Sequence, residues 1–283
     1  MAKLSLKSFA KVNVGLQILN KRTDGLHNIN TLFQEIDLYD NIIMRKKKSG
    51  CHFITNVKWL KNDKSNLCIQ AWEKMQDYFE IDGISINLDK KIPPGSGLGG
   101  GSSNAATVLK GLRRLYNLDV KDGQLEKLAI EIGADVPFFV KGGLQVGGGI
   151  GDQLKQLCGS IKGMFLLVIP NLHIDTFWAY KNYNKKILDD AKERVNFPSL
   201  LGKQPVPYEL FENDFETIVV PAYPEIGKIK EVFRAHRARL TSLSGSGSTV
   251  YGIFDNEADL RSAESHFSPT YKTLIANPRS DRI

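Results

Sequence analysis

Pro93-Pro94-Gly95-Ser96-Gly97-Leu98-Gly99-Gly100-Gly101-Ser102-Ser103-Asn104 decides how the rest of the chain is read. Five glycines lead through Ser102, Ser103 and Asn104 into a helical pattern. A backbone without Cβ atoms folds tightly and brings successive N–H groups near an oxyanion, and the helix that follows adds roughly half a positive charge at its start. Polyphosphate is the expected guest. Before the loop, Ile84-Ser85-Ile86-Asn87-Leu88 alternates as a strand, which Asp89-Lys90-Lys91-Ile92 carries to the double proline. After it, Ala105, Val108, Leu109, Leu112 and Leu115 form an apolar stripe, predicting a helix over about 102–116 with a hydroxyl N-cap.

Strand, glycine turn and helix suit two common nucleotide-binding motifs, and neither fits. Gly95-Ser96-Gly97-Leu98-Gly99-Gly100 satisfies G-x-G-x-x-G, but a dinucleotide site needs a second strand ending in an acid about twenty residues on. Asp119 lies at that distance inside a turn leading to another helix. A Walker loop aligned on Gly95 and Gly100 puts Gly101 where its lysine belongs. A cation and a carboxylate for phosphoryl chemistry must therefore come from elsewhere, and Lys11 and Asp135 are the economical candidates.

Around the loop, apolar alternation over 3–19 reads as a strand with Lys11, Asn13, Gly15 and Gln17 on its polar face, which solvent exposure alone explains. The 20–25 stretch reads as a turn around Asp24-Gly25, and 28–44 as the returning strand. Residues 66–79 carry a helical stripe capped by Asn66 or Ser65, and 122–132 another that ends at Gly133. Asp135 follows among Ala, Val, Pro and Phe and is expected to be partly buried; a turn or cap aspartate satisfied by backbone N–H groups reads the same way. With six glycines, 141–151 reads as a turn or mobile joint, with the domain boundary just after it. Beyond lie a strand at 164–169, a polar stretch of loop and short helix over 182–207, and a helix through Ile226, Ile229 and Phe233. A second small-residue loop at 242–248, a strand at 249–254, a helix at 256–267 and a strand at 272–276 close the chain.

Composition narrows the class. The 283 residues have 42% hydrophobic and 24% charged content, which excludes disordered, collagen-like and coiled-coil chains. A net charge of +7 suits an anionic ligand, yet the basic residues are scattered; Arg45-Lys46-Lys47-Lys48 reads as a solvated hairpin end rather than a nucleic-acid patch. Cys51, Cys68 and Cys158 form neither a disulfide framework nor a zinc knuckle, which fits a reducing cytoplasm. The longest apolar run, 164–169, is too short to span a bilayer, and the first residues lack a secretory h-region, so neither a membrane helix nor a leader is expected.

Four segments together resemble the GHMP kinases: Ser8-Phe9-Ala10-Lys11-Val12-Asn13 with Asp24-Gly25-Leu26-His27; the 93–106 loop; Gly133-Ala134-Asp135-Val136-Pro137-Phe138-Phe139; and Leu243-Ser244-Gly245-Ser246-Gly247-Ser248-Thr249-Val250-Tyr251. Their order and spacing agree along nearly the whole chain, most weakly in the polar middle of its second half. The resemblance implies a two-domain α+β fold: a ribosomal-protein-like, ATP-binding N-terminal domain over 1–155, a ferredoxin-like C-terminal domain over 156–283, and a substrate cleft between them. It implies transfer of the γ-phosphoryl of ATP, with Mg²⁺, to the 2-hydroxyl of 4-diphosphocytidyl-2-C-methyl-D-erythritol in the non-mevalonate isoprenoid pathway. Homoserine, mevalonate or phosphomevalonate is the alternative acceptor. The implied partner is thus a small molecule, with no nucleic acid and no membrane.

By the same resemblance Asp135 orients or deprotonates the hydroxyl, and Lys11 keeps Asp135 ionised and stabilises the transferring group. Pro93, Gly95, Gly97, Leu98, Gly99, Gly100, Gly101, Ser102 and Ser103 surround the nucleotide, with Ser102 or Ser103 as a Mg²⁺ contact, and Asn66 and Lys90 lie near the adenine. On the acceptor side Asn13 and Thr176 touch the diphosphate, His27 reads the cytosine edge, Tyr180 stacks on the ring, and Gly245 and Ser246 help close the site. Two departures stand out. Leu26 replaces the aromatic residue usual before the histidine, and Gly147-Gly148-Gly149-Ile150-Gly151-Asp152 lacks the glutamates common there.

Overall fold

A computed structural model of the chain describes residues 3–187 and 193–280. In chain order the elements are β1 (Lys3–Lys21), β2 (His27–Lys47), β3 (Cys51–Thr55), α1 (Leu67–Tyr78), β4 (Gly83–Asp89), α2 (Gly100–Leu115), α3 (Asp122–Ile132), α4 (Phe138–Lys141), β5 (Leu144–Gly148), β6 (Gln153–Leu157) and β7 (Met164–Ile169). There follow α5 (Thr176–Ile187), α6 (Phe197–Leu201), a 3₁₀ turn (Tyr208–Leu210), α7 (Glu216–Ala222), α8 (Pro224–Ala235), β8 (Leu240–Leu243), β9 (Val250–Phe254), α9 (Glu257–Phe267) and β10 (Lys272–Ala276). The mixture of helix and sheet is the α+β class expected. None of the helices is long and apolar enough to cross a membrane, among the described residues.

The chain divides into two compact units that interleave in sequence. The first comprises Met1–Ala10, Leu38–Pro94 and Gly99–Gly142; the second comprises Lys11–Asp37, Gly95–Leu98 and Gly143–Ile283.

In the first unit the later part of β2 pairs antiparallel with β4, Asn41 opposite Asp89 through Lys47 opposite Gly83, and β3 pairs parallel with β4. The alternation read in β4 is realised: Ile84, Ile86 and Leu88 are fully buried while Asn87 faces out. Ala71 and Met75 of α1 and Val108, Leu109 and Leu112 of α2 are equally buried. Asn66 caps α1, its Oδ1 accepting from the Cys68 N–H at 2.9 Å. The basic run closes β2 with Arg45, Lys47 and Lys48 exposed, but not as the end of a hairpin, because β4 lies between β2 and β3; Lys46 Nζ lies 4.3 Å from the centre of the Tyr116 ring.

In the second unit the hairpin of β1 and β2 turns at 22–26, where the Arg22 N–H donates to the Leu26 carbonyl at 2.8 Å. The early part of β2 pairs with β5, and β5 with β6. Within the glycine-rich 141–151 stretch, Leu144–Gly148 is therefore an internal strand, residues 149–152 form a turn as expected, and the last sequence boundary between the two units falls at Gly142 and Gly143. Gly147 lies so close to Phe33 that a Cβ there would meet the ring at 2.6 Å, so its small size serves packing. A second sheet has the order β10-β7-β9-β8, all antiparallel. In chain order those strands are fourth, first, third and second, the arrangement of a ferredoxin-like β-α-β-β-α-β unit. Its core gathers Leu166, Val168, Ile229, Phe233, Phe254 and Phe267. The 182–207 stretch contains the end of α5 and all of α6, while residues 188–192 lie outside those described.

Candidate functional site

In the first unit α2 has a bare start. Its N-cap is Gly99, left-handed at φ 68° and ψ 20°, and no side chain caps the helix. This corrects the expected hydroxyl cap. A chain entering the helix from positive φ favours glycine at the boundary, and Ser102 and Ser103 fall inside the first turn instead. Ser103 is buried, its N–H donating to the Gly99 carbonyl at 2.9 Å and its Oγ sharing a hydrogen bond with Ser8 Oγ at 2.8 Å. Ser102 stays half-buried. A helix start without a side-chain cap offers its amides to an anion.

Lys90 and Gly100 come together there. A Cβ on Gly100 would stand 2.7 Å from Lys90 Nζ, so the ammonium lies against the first turn of α2. Lys90 is 9% exposed and pairs with the fully buried Asp40 at 2.5 Å. Asn66 uses both ends of its amide locally, since Nδ2 donates to the Lys61 carbonyl at 2.9 Å while Oδ1 caps α1. Asp135 lies half-buried in the turn between α3 and α4. That turn is held by the Val136 N–H donating to Gly133 at 3.0 Å and by the buried Val136, Phe138 and Phe139.

The second unit assembles the other group. Lys11 is 4% exposed and Asn13 2%, so the polar face of β1 is not a solvent face: Val12 and Val14 on its opposite side are buried too. Lys11 Nζ donates to Asn13 Oδ1 at 2.5 Å and lies 5.0 Å from the centre of the Phe33 ring. Asn13 Nδ2 in turn donates to Thr31 Oγ1 at 2.9 Å, and Thr31 to the Gly15 carbonyl at 2.8 Å. The backbone of Asn13 is anchored by the fully buried Tyr251, whose hydroxyl donates to its carbonyl at 2.8 Å. Burial pushes the Tyr251 phenol well above its ordinary range, so it stays a donor.

The two small-residue loops meet in this unit. The Lys11 N–H donates to the Leu98 carbonyl at 3.0 Å, the Thr249 N–H to Ser96 at 3.3 Å, and Ser244 Oγ to the Gly97 carbonyl at 2.8 Å. Asn213 supports the second loop with Nδ2 bonds to the carbonyls of Leu243 at 3.0 Å and Gly245 at 2.9 Å. A Cβ on Gly245 would stand 3.5 Å from Asn13 Oδ1, and Ser246 Oγ hydrogen-bonds Thr176 Oγ1 at 2.9 Å. Lys11, Asn13, Gly97, Thr176, Gly245 and Ser246 are thus linked through short contacts in one unit.

His27 is buried, and its ring stacks on Tyr180 with centroids 4.9 Å apart and planes 14° from parallel. Phe215 meets Tyr180 edge-on at 4.9 Å. Stacking with His27 occupies one face of the Tyr180 ring. Leu26, beside His27, is 50% exposed.

Two polar residues around these groups escaped sequence reasoning, Asp40 in the first unit and Asn213 in the second, while Ser8 and Asn104 stood in the quoted segments without a role. For Asp40 a signal existed, because it shares the parity of Ile42 and Met44, which are buried, so an acid stood on a core face. Asn213 carried none, since its partners are carbonyls 30 and 32 residues away.

Residues 66–143 match the model of the GHMP kinases N terminal domain, and residues 208–272 that of the GHMP kinases C terminal domain. A 4-diphosphocytidyl-2-C-methyl-D-erythritol kinase of Chlorobium chlorochromatii is 40% identical over 98% of this chain and 97% of its own. That of Chlorobium phaeovibrioides is 41% identical over 91% and 90%. A crystal structure of 4-(cytidine 5'-diphospho)-2C-methyl-D-erythritol kinase superposes with a TM-score of 0.83 at 28% identity, covering 97% of this chain and 99% of that one. The Methanococcus jannaschii mevalonate kinase, at 16% identity, shares the fold with a TM-score of 0.69 over 99% of each chain.

Proposed function

The chain belongs to the GHMP kinase family, and from that premise we propose that it phosphorylates the 2-hydroxyl of 4-diphosphocytidyl-2-C-methyl-D-erythritol with ATP, using Lys11 and Asp135. The observation that carries the acceptor assignment is near-full-length likeness, at 39–40% identity, to kinases named for that substrate. The reaction is phosphoryl transfer to an alcohol in isoprenoid precursor synthesis. Both substrates are soluble nucleotides, which suits a cytoplasmic enzyme. A division into domains 1–155 and 156–283 leaves each matched family segment whole.

The residues present fit a bound nucleotide. An uncapped helix start with a lysine ammonium beside Gly100 favours phosphate, and Gly100, Gly101 and Ser102 present the backbone N–H groups of the first turn. For Mg²⁺, Ser102 is the better contact, because Ser103 is buried and bonded to Ser8. No cluster of three His, Cys, Asp or Glu side chains suited to a metal occurs among the described residues, and Mg²⁺ on a nucleotide needs only one or two protein oxygens. When bound, the ion supplies charge neutralisation between phosphates.

Asp135 accepts or orients the proton of the attacking hydroxyl, and its setting in a tight turn limits its freedom. Lys11 offsets the charge that develops on the transferring group. A buried ammonium aimed by Asn13 is already oriented and needs little rearrangement at the moment of transfer. Asn13 and Thr176 hold the acceptor diphosphate, His27 reads the base, Tyr180 supports it, and Gly245 and Ser246 line the acceptor side.

Coupled ADP release with purified acceptors tests the assignment. Turnover with 4-diphosphocytidyl-2-C-methyl-D-erythritol and none with mevalonate, phosphomevalonate or homoserine is expected. The reverse pattern would make the chain a sister kinase.

A further inference from the structure

We propose that Asp40 is a positioning residue for the nucleotide: its carboxylate aims the Lys90 ammonium at the start of α2 and fixes the entry to the glycine loop. The inference rests on the reading that this loop holds ATP.

Asp40 is 0% exposed and accepts four hydrogen bonds. Oδ2 takes Lys90 Nζ at 2.5 Å and Asn104 Nδ2 at 2.9 Å; Oδ1 takes the backbone N–H of Lys91 at 2.6 Å and of Ile92 at 2.8 Å. One carboxylate on β2 therefore grips a side chain at the end of β4, the backbone just before Pro93, and the first turns of α2. Asn104 Nδ2 also donates to Ser8 Oγ at 2.9 Å, and Ser8 bonds Ser103, so the grip extends to β1.

Stability alone explains this arrangement poorly. Taking both charges of an ion pair out of water costs about as much as their attraction returns, and an apolar pair of the same volume is often as stable. The placement is also unfavourable in itself, because an ammonium at a helix start approaches charge of its own sign. Both costs are offset when an anion sits at that helix start. Asp40 holds the ammonium in place before the anion arrives, and the Gly100 position leaves room for it: a Cβ there would collide with Nζ at 2.7 Å and with Ile92 Cγ2 at 2.8 Å.

Titration with a non-hydrolysable ATP analogue, together with steady-state KM values for each substrate, tests the inference on the full chain. Asp40→Asn keeps the shape and removes the charge. It should weaken the analogue about tenfold and raise the ATP KM to match, with the acceptor KM within about twofold of wild type. General loosening of the fold would instead lower the active fraction without this KM split. Lys90→Met should weaken the analogue as well, and adding Asp40→Asn to it should cost less than about twofold more, because Asp40 acts through Lys90. Asn104→Ala, which leaves no charge unpaired, should raise the ATP KM about threefold and serves if Asp40→Asn fails to fold.

Unchanged analogue binding in folded Asp40→Asn, or in Asn104→Ala where the first does not fold, overturns the inference. So does a full multiplicative effect in the double variant. Wild-type protein that does not bind the analogue overturns the ATP reading itself, which distinguishes the two failures.

Discussion

Gly97→Ala should destabilise the second unit far more than a glycine of similar backbone conformation elsewhere in it. Gly97 has φ +75°, and a Cβ there would stand 1.9 Å from the Ser244 carbonyl oxygen and 3.1 Å from that of Gly247. Gly25 has φ +85° with nothing within 4 Å of its Cβ position. Left-handed backbone costs an alanine roughly 1–2 kcal/mol at either place. Only at Gly97 must two backbone segments also move apart, at about 1–3 kcal/mol for forced overpacking, and the Ser244 hydroxyl bond to the Gly97 carbonyl adds about 1 kcal/mol when lost. The expected loss is about 4 kcal/mol at Gly97 and about 1 kcal/mol at Gly25. At roughly 2–4 °C per kcal/mol for a chain of this size, thermal unfolding should shift by about 10 °C in one variant and about 3 °C in the other. Calorimetry of both against wild type is the assay. Equal shifts would mean that backbone strain alone matters and that the two small-residue loops are not in contact as described.

Lys11→Met and Asp135→Asn should each lower kcat about 10³-fold while the ATP analogue still binds within a few-fold of wild type; near-normal kcat in either refutes the proposed pair. The cysteines should label in order of access. Cys158 is exposed, whereas burial raises the Cys51 thiol to about 11 and the Cys68 thiol to about 12. At pH 8 the thiolate fraction is then about 10⁻³ for Cys51 and about 10⁻⁴ for Cys68. Peptide mapping after reaction with an aromatic disulfide reagent should find Cys158 first. Raising the pH to 10 should speed Cys51 about a hundredfold, and Cys68, which is also sterically closed, should label last. Modification of Cys68 ahead of Cys51 in folded protein contradicts the packing of α1.

Local patterns carried much of the fold. The β4 alternation, the α1 stripe with its Asn66 cap and strands β7, β9 and β10 each depend on residues within a few positions of one another, whereas β8 went unread and the ferredoxin-like order, which joins strands about 100 residues apart, came only from the resemblance. The misreadings arose where distant segments intervene. The glycines of 141–151 signalled a turn or joint throughout, but Phe33 on β2 needs the space at Gly147, so residues 144–148 are a strand and the turn is confined to 149–152. Ser102 and Ser103 looked like caps, but the turn places left-handed Gly99 at the helix boundary. The polar face of β1 looked wet because alternation cannot tell a solvent face from a buried polar one.

What the sequence determined by itself is the order of residue types along the chain: a lysine near the start, a glycine-rich loop before a helix, an aspartate after the next helix, and a second small-residue loop. Tertiary structure alone decided which of those groups are held, and by what. Lys11 is aimed by Asn13, the glycine loop rests on the Ser244 loop, and Lys90 is pinned by a carboxylate 50 residues away. The reason is physical: a composition or a period specifies the conformation of one segment, whereas the orientation of a buried charge depends on partners that only folding brings within about 3 Å.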